Sequence, residues 1–428
     1  MDSVSSMSRE KKKNQLKRQI VPPRAPEPEE DGQEVVRKAH RRVVRKRLII
    51  LLVLLLMAGG AGLIFWQYDR YHQFSSYQVS WEHSLADESQ EGALSSEGNF
   101  CGYVDFADGV LKYTKDGASY IDNQGDTIWV QSYEMNTPIV SVNGEYAVVA
   151  DRQGTSMYIC NTDGCQGQAA ALLPILQVSV SAHGVVAALQ EDSSASYIYF
   201  YRSDGSNLDL YIKSVLSGDG YPVDLSLSPA GTQVITSYMY LEQGMLKNRI
   251  VFYNFGLGKD DARRVVGGFQ SQDLADAMAG RVRFLDESHA VIFTDKGLQF
   301  FSTRVETSPE SVSQVLFDEN VRSIAWSETY VGVVTDNAQG EDPYRLRIYQ
   351  ADGTPVFDRS FNFQYTGFDI DGDLVLLYND TSCCVYNMAG TEKFNGTFDF
   401  PVSKVSEGRF PSTLLVMGAQ SIKEIKLQ

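Results

Sequence analysis

The sequence predicts an all-β fold, a β-propeller of eight blades with seven as the alternative, preceded by one transmembrane helix and a disordered basic tail. Three observations carry this reading. From Tyr77 onward, short runs of β-branched and aromatic residues are closed by Gly, Asp or Asn, and Gln270 to Ala279 is the only helix-period stretch of any length. Turn glycines at 125, 164 and 205, and again at 353 and 390, recur at the roughly 40-residue period of a four-stranded blade. Ahead of them, the 21 residues Leu48 to Tyr68, LIILLVLLLMAGGAGLIFWQY, carry no charge.

The N-terminal elements follow from charge. Met1 to Arg47 holds 14 of the 38 Lys and Arg and 7 of the 54 Asp and Glu, leaving 24 against 47 for the remainder. A basic head thus precedes a strongly acidic body. The stretch PPRAPEPEEDG, Pro22 to Gly32, is rich in proline and acid and is expected to stay extended. In a helical pattern from Glu34 to Arg47, seven basic residues (Arg37, Lys38, Arg41, Arg42, Arg45, Lys46 and Arg47) stand directly before the apolar stretch. At about 1.5 Å per residue, that stretch reaches roughly 30 Å, the thickness of a bilayer's hydrocarbon core. Basic residues stay on the cytoplasmic side, so residues 1–47 are expected inside and the body outside, at the cell envelope. The same cluster suits anionic lipid head groups, although topology alone accounts for it. The rival reading is a cleaved signal peptide, with Leu48 to Met57 as its core and Ala58 to Ala61 as the small-residue cleavage region. Apolar residues continuing to Phe65 and Trp66 favour an uncleaved anchor, followed by a linker over 69–76.

The blades rest on three recurrences. Pro138, Pro174, Pro222 and Pro401 each introduce an alternating run, and proline is tolerated at the first residue of a strand. Aromatic strands run into tight glycine turns at Phe200 to Gly205, Ile348 to Gly353 and Val385 to Gly390. An aromatic follows four residues after the glycine at Trp129, Phe357 and Phe394, placed to pack between sheets. Blades are drawn over Cys101 to Asn136, Thr137 to Leu172, Leu173 to Gly220, Tyr221 to Ala279, Gly280 to Asn320, Val321 to Gln364 and Tyr365 to Phe400. Pro401 to Gln428 holds only three strands. Tyr77 to Leu85 supplies the missing outer strand, because Trp81 stands where Trp129 stands in the first blade. A ring closed this way leaves no exposed sheet edge.

The Gly-x-x-x-Trp/Phe recurrence, clearest in Asp122-Asn-Gln-Gly-Asp-Thr-Ile-Trp129, resembles the blade repeat of the quinoprotein-like and WD40-like propeller superfamily. The arrangement of basic head, span and outer propeller also resembles a family of uncharacterised single-span proteins of clostridia and related Gram-positive bacteria. These resemblances imply a fold and no particular reaction. In quinoprotein alcohol dehydrogenases a vicinal cysteine pair lies beside the quinone, which makes Cys383 and Cys384 the residues an enzymatic reading would use.

Chemistry is otherwise sparse. Asp369-Ile-Asp-Gly-Asp373 has the acid spacing of a calcium loop, but the twelfth position is Asp380 rather than Glu and LVLLY between is strand, so a turn is expected. Cys160 and Cys165 flank the turn Asn-Thr-Asp-Gly and are candidates for a cross-hairpin disulfide. Cys383 and Cys384 are a second candidate pair, and Cys101 has no evident partner. His40, His72, His83, His183 and His289 show no metal-ligand spacing, although His183 and His289 share a turn position. No nucleophile elbow or phosphate-binding glycine loop is present. We expect no cofactor and no metal. The connections Gln190 to Ser196, Leu241 to Asn248 and Asp336 to Tyr344, joined by Gly267 to Gly280, are longer than the turns opposite. They offer Glu191, Asp192, Glu242, Glu341, Asp342 and Tyr344 as a partner-binding face. So acidic a surface excludes nucleic acid, whose phosphates need clustered cations. The sequence thus points to a membrane-anchored, extracytoplasmic, non-catalytic scaffold or ligand-sensing module for an envelope protein or small ligand. The alternative is a quinone-dependent or redox enzyme using the vicinal cysteines.

Overall fold

The computed structural model describes residues 47–62, 67, 71–85, 100–256, 265–269, 277–338 and 340–428. Eight four-stranded antiparallel sheets form one propeller. The blades run Cys101–Ser132, Pro138–Ala170, Ile175–Val215, Tyr221–Phe269, Ala279–Leu316, Val321–Phe361 and Gly367–Thr397, and are numbered here 1 to 7. Blade 8 combines Lys404–Glu407, Thr413–Met417 and Ser421–Leu427 with the N-terminal strand Tyr77–Ser84 on its outer edge. Within blades 1 to 7 the strands follow chain order from the axis outward, and the first strands of neighbouring blades pack together around the centre.

The closure rests on backbone bonds. The amides of Ser75 and Ser76 donate to the Gln428 carbonyl at 2.9 and 3.0 Å, and the Gln428 amide donates back to the Ser76 carbonyl at 2.8 Å. Phe74 bridges in parallel to Phe394 of blade 7. The number of blades is eight, and the boundaries fall where the repeat predicts, with one correction. Ala279 opens the first strand of blade 5 instead of ending a helical stretch, because its side chain is fully buried against the core between blades 4 and 5. Residues 270–276 of that stretch lie outside the described residues.

Burial explains the ring. Eight apolar clusters each fill one junction between adjacent blades. Alternation along each strand sends successive side chains to opposite faces, so every blade feeds two junctions. Among the described residues the junction between blades 8 and 1 is the thinnest, with five buried apolar residues: Val110, Ile121, Leu415, Met417 and Ile422.

The aromatic of the repeat occupies one structural position. In the outermost strand, one residue sits just after a β-bulge opposite the third strand. From blade 1 to blade 8 this residue is Trp129, Gly167, Tyr211, Gly267, Ser313, Phe357, Phe394 and Trp81. For Trp81, Trp129 and Phe357, the ring seats the next blade's glycine turn. Gly125, with φ of 86°, lies so close to Trp81 that an added Cβ would sit 2.6 Å from the indole. The Trp129 indole N–H donates to the Asn161 carbonyl at 3.0 Å, at the turn of blade 2.

Residues 47–62 are helical, with Leu48 to Met57 exposed. Among the described residues no helix is long and apolar enough to cross a membrane. The continuous described helix has 16 residues, about 24 Å of rise, short of the roughly 30 Å of a hydrocarbon core. Residues 63–66 and Tyr68 of the expected span lie outside the described residues, as do Arg37, Lys38, Arg41, Arg42, Arg45 and Lys46 of the basic cluster. Arg47 is the first described residue of the helix.

Candidate functional site

Strand order places all second-to-third-strand hairpins, and all connections between blades, at one end of the ring. The residues proposed as a binding face are therefore brought to one end, and side-chain contacts decide what each offers there. Glu242 is ion-paired with Lys247 at 2.7 Å. Asp342 accepts from Ser360 at 2.9 Å. Tyr344 is clamped between Phe361 and Tyr365, its hydroxyl donating to Gln364 at 3.0 Å, so its ring is committed to its neighbours. Glu191 takes a long bond from Tyr221 at 3.4 Å. Asp192 and Glu341 are exposed without a cationic partner among the described residues.

Two of the expected loops are not loops. The segment Leu241 to Asn248 is a continuation of paired strands, Gln233–Glu242 and Met245–Asn254, in full register to a two-residue turn. Gln243 and Gly244 have φ of 52° and 82°, the doubly positive pair of a type I′ turn. Gln190 to Ser196 likewise tightens to a three-residue turn between Glu191 and Ala195. Asp336 to Tyr344 is an extended connection, and residues 270–276 of the fourth, Gly267 to Gly280, lie outside the described residues. The blade 4 strands, at 10 residues each, are longer than the inner strands of every other blade. Their hairpin therefore projects. Its tip carries Leu241, 74 % exposed, with Met245 and Leu246 beside it, and Leu172 and Met278 are exposed at the same end. The sequence reading missed this apolar tip, although Gln-Gly between matched alternating runs was its signal.

The axis holds a polar network. Lys404, on the first strand of blade 8, is 5 % exposed and pairs with Asp105 of blade 1 at 2.9 Å and Asp369 of blade 7 at 3.0 Å. Tyr378 donates to the same Asp369 oxygen at 2.7 Å. Burial alone would lower the Lys404 pKa, yet the Asp105 and Asp369 carboxylates outweigh it and hold the ammonium well above its ordinary value. Asp371 and Glu407 lie beside this group, with the Glu407 amide donating to Asp371 at 2.7 Å. Desolvation first, and then neighbouring carboxylates, push Asp371 up to about 6 and Glu407 up to about 7. The acid-spaced stretch of blade 7 is a strand ending in a hairpin at Gly372, φ 54°, and its first aspartate is engaged by a lysine. Across the ring, buried Asp224 accepts from the Val282 amide at 3.0 Å, Arg283 at 2.7 Å and Gln177 at 3.0 Å.

All five cysteines are free thiols. Cys160 and Cys165 do face each other across the outer strands of blade 2. The hydrogen bond from Cys160 lowers the Cys165 thiol to about 7, and the same bond with burial pushes Cys160 up. Cys383 and Cys384 form no common site. As neighbours on one strand they point to opposite faces, Cys383 into the core against blade 8 and Cys384 into the core against blade 6. Burial raises both, Cys384 to about 12.

The sheets define an eight-bladed β-propeller closed by its own two ends. Within that class the chain belongs to the family described as "Family of unknown function (DUF5711)", whose model matches residues 70–427. The chain matches no curated protein. Among solved structures it is similar to the Dos1 propeller, at TM-score 0.50 and 11 % identity over 82 % of this chain and 95 % of that one. It is also similar to the Cps50 (Swd1) β-propeller domain of Myceliophteria thermophila, at TM-score 0.45 and 11 % identity over 82 % of this chain and 100 % of that one. The Neurospora crassa Pan2 WD40 domain gives 0.44 at 7 % identity, over 83 % and 97 %. At these identities the likeness is one of fold.

Proposed function

We propose that the chain is a membrane-anchored, extracytoplasmic β-propeller that acts as a non-catalytic interaction scaffold, engaging an envelope protein at the end of the ring where the blade 4 hairpin projects. The observation that carries this is the hairpin tip. Leu241, Met245 and Leu246 are held in water by a paired two-stranded arm, and exposed apolar clusters of this kind mark interaction sites. Glu191, Asp192 and Glu341 around the same end favour a partner with basic residues at its rim. Anchoring is supported by the uncharged stretch Leu48 to Tyr68 and by the basic residues Arg37 to Arg47 that precede it.

The test is proximity labelling in the native host, with the labelling enzyme fused after Gln428. Neighbours labelled by the wild type and lost in Leu241→Ser/Met245→Ser support the reading. An unchanged set of neighbours sinks it. Both substituted side chains are exposed, so the variant is expected to fold. Membrane fractionation with protease accessibility tests the anchor and its orientation separately. The redox alternative loses support from the separation of Cys383 and Cys384 into different cores.

A further inference from the structure

At the opposite end of the ring, the junction of blades 5 and 6 breaks the repeat. Five blades place an aromatic at the outer-strand position after the bulge, but blade 5 places Ser313 there. With no outer-strand ring to seat it, the Asp352-Gly353-Thr354 turn of blade 6 settles on Ser313 and on Phe300 of the third strand. A Cβ added to Gly353, whose φ is 87°, would lie 2.7 Å from both the Ser313 Cβ and the Phe300 ring. Beside this contact opens a groove of about 600 Å³, lined by His289, Ser302, Arg304, Ser313, Asp352 and Thr354. That is the size range of small-molecule sites.

The polar groups are arranged, and each keeps hydrogen-bonding capacity toward the groove. His289 Nδ1 is fixed by both Asp286 oxygens, at 2.8 and 3.0 Å, which orients the ring and leaves Nε2 free. Arg304 has no ion-pair partner among the described residues, in a body with 24 basic residues against 47 acidic. Asp352 is kept ionised from its other side: the Thr354 amide bonds to it at 2.9 Å, and His289 adds to the lowering of its pKa. A cation alone would meet Arg304, and a simple anion would meet Asp352. The pattern suits a molecule that carries both a carboxylate and a donor.

We propose that this groove binds a small carboxylate bearing hydroxyl or ammonium groups. Arg304 takes the carboxylate through its planar fork, His289 Nε2 adds a second bond, and Asp352 accepts from the ligand's donor. The proposal is independent of the scaffold reading, because its residues lie at the other end of the ring from the blade 4 hairpin.

The test uses the full chain in detergent micelles, titrated with D-galacturonate, L-aspartate and citrate, with D-galactose and putrescine as ligands lacking a carboxylate. At about 10 mM, at least one carboxylate is expected to raise Tm by about 2 °C, and neither control should do so. Calorimetry on Arg304→Ala and on His289→Ala should show affinity for that ligand reduced about tenfold or more. Lys115→Gln, exposed in the second-to-third-strand hairpin of blade 1 at the far end, should leave it unchanged. Arg304 is exposed, so its removal is expected to leave the unliganded Tm in place. If none of the three carboxylates shifts Tm, or if the shift survives intact in Arg304→Ala, the proposal is overturned.

Discussion

Lys404 is the side chain on which three blades converge at the axis, and its contribution is measurable. Removing one partner of a fully buried ion pair costs about 3–5 kcal/mol, but Asp105 and Asp369 keep part of their surface in water and are left less stranded. Lys404→Met is therefore expected to lose about 2–3 kcal/mol in chemical denaturation. A loss below ~0.5 kcal/mol would show that the network is solvated in practice. The neighbouring carboxyls act on pH. Asp371 and Glu407 have folded-state pKa values raised to about 6 and about 7, so the folded chain binds their protons more tightly than the unfolded chain does. Their contribution to stability is fully present below the unfolded carboxylate range near about 4 and is lost as pH rises through about 7. Glu407→Gln should flatten the fall in stability between pH 5 and pH 8, and should be more stable than wild type at pH 8. A denaturation series showing the same pH slope in both proteins would count against the assignment.

At the scale of the element, the outer-strand aromatics are the interlocking parts. Trp81 seats Gly125 across the thinnest junction, where only five apolar residues are buried. Truncating a fully buried Trp costs about 3–5 kcal/mol, and Trp81 is half-buried, so Trp81→Ala is expected to cost about 2–3 kcal/mol. Native-state hydrogen exchange should then show protection lost first along Tyr77–Ser84 and its partner Ser421–Leu427. Uniform loss around the ring would contradict a weak seam. The repeat was legible because glycine turns and outer-strand aromatics recur at five of the eight blades, and Trp81 betrayed the closing strand for that reason. Tyr211 escaped notice because extra residues around Asp209, φ 55°, separate it from its turn glycine. Ser313 escaped because an absent aromatic leaves no mark in sequence. The axial network was equally hidden: Lys404, Asp224 and Asp369 alternate with apolar residues as solvent-facing side chains do, and only ring closure brings them together. His289 was visible as a turn histidine, and Asp286 lies three residues before it, but the groove required the next blade to be in place.

On the scale of the whole molecule, the ring is completed without a covalent clasp. The chain enters at Phe74, Ser75 and Ser76 and leaves at Gln428, and these residues are bonded to one another. Tension applied through residue 70 would therefore be delivered first to the Phe74 amide's bond to Lys393 of blade 7, then to the hydrogen bonds of Ser75 and Ser76 with Gln428, and then to the register pairs from Tyr77 with Leu427 onward. Loaded from one end, an antiparallel pair peels bond by bond rather than resisting along its whole length. Peeling would strip one outer strand and leave seven complete blades standing beside a three-stranded remnant, so a pull too weak to unfold the ring would still uncover the edge of Ser421–Leu427.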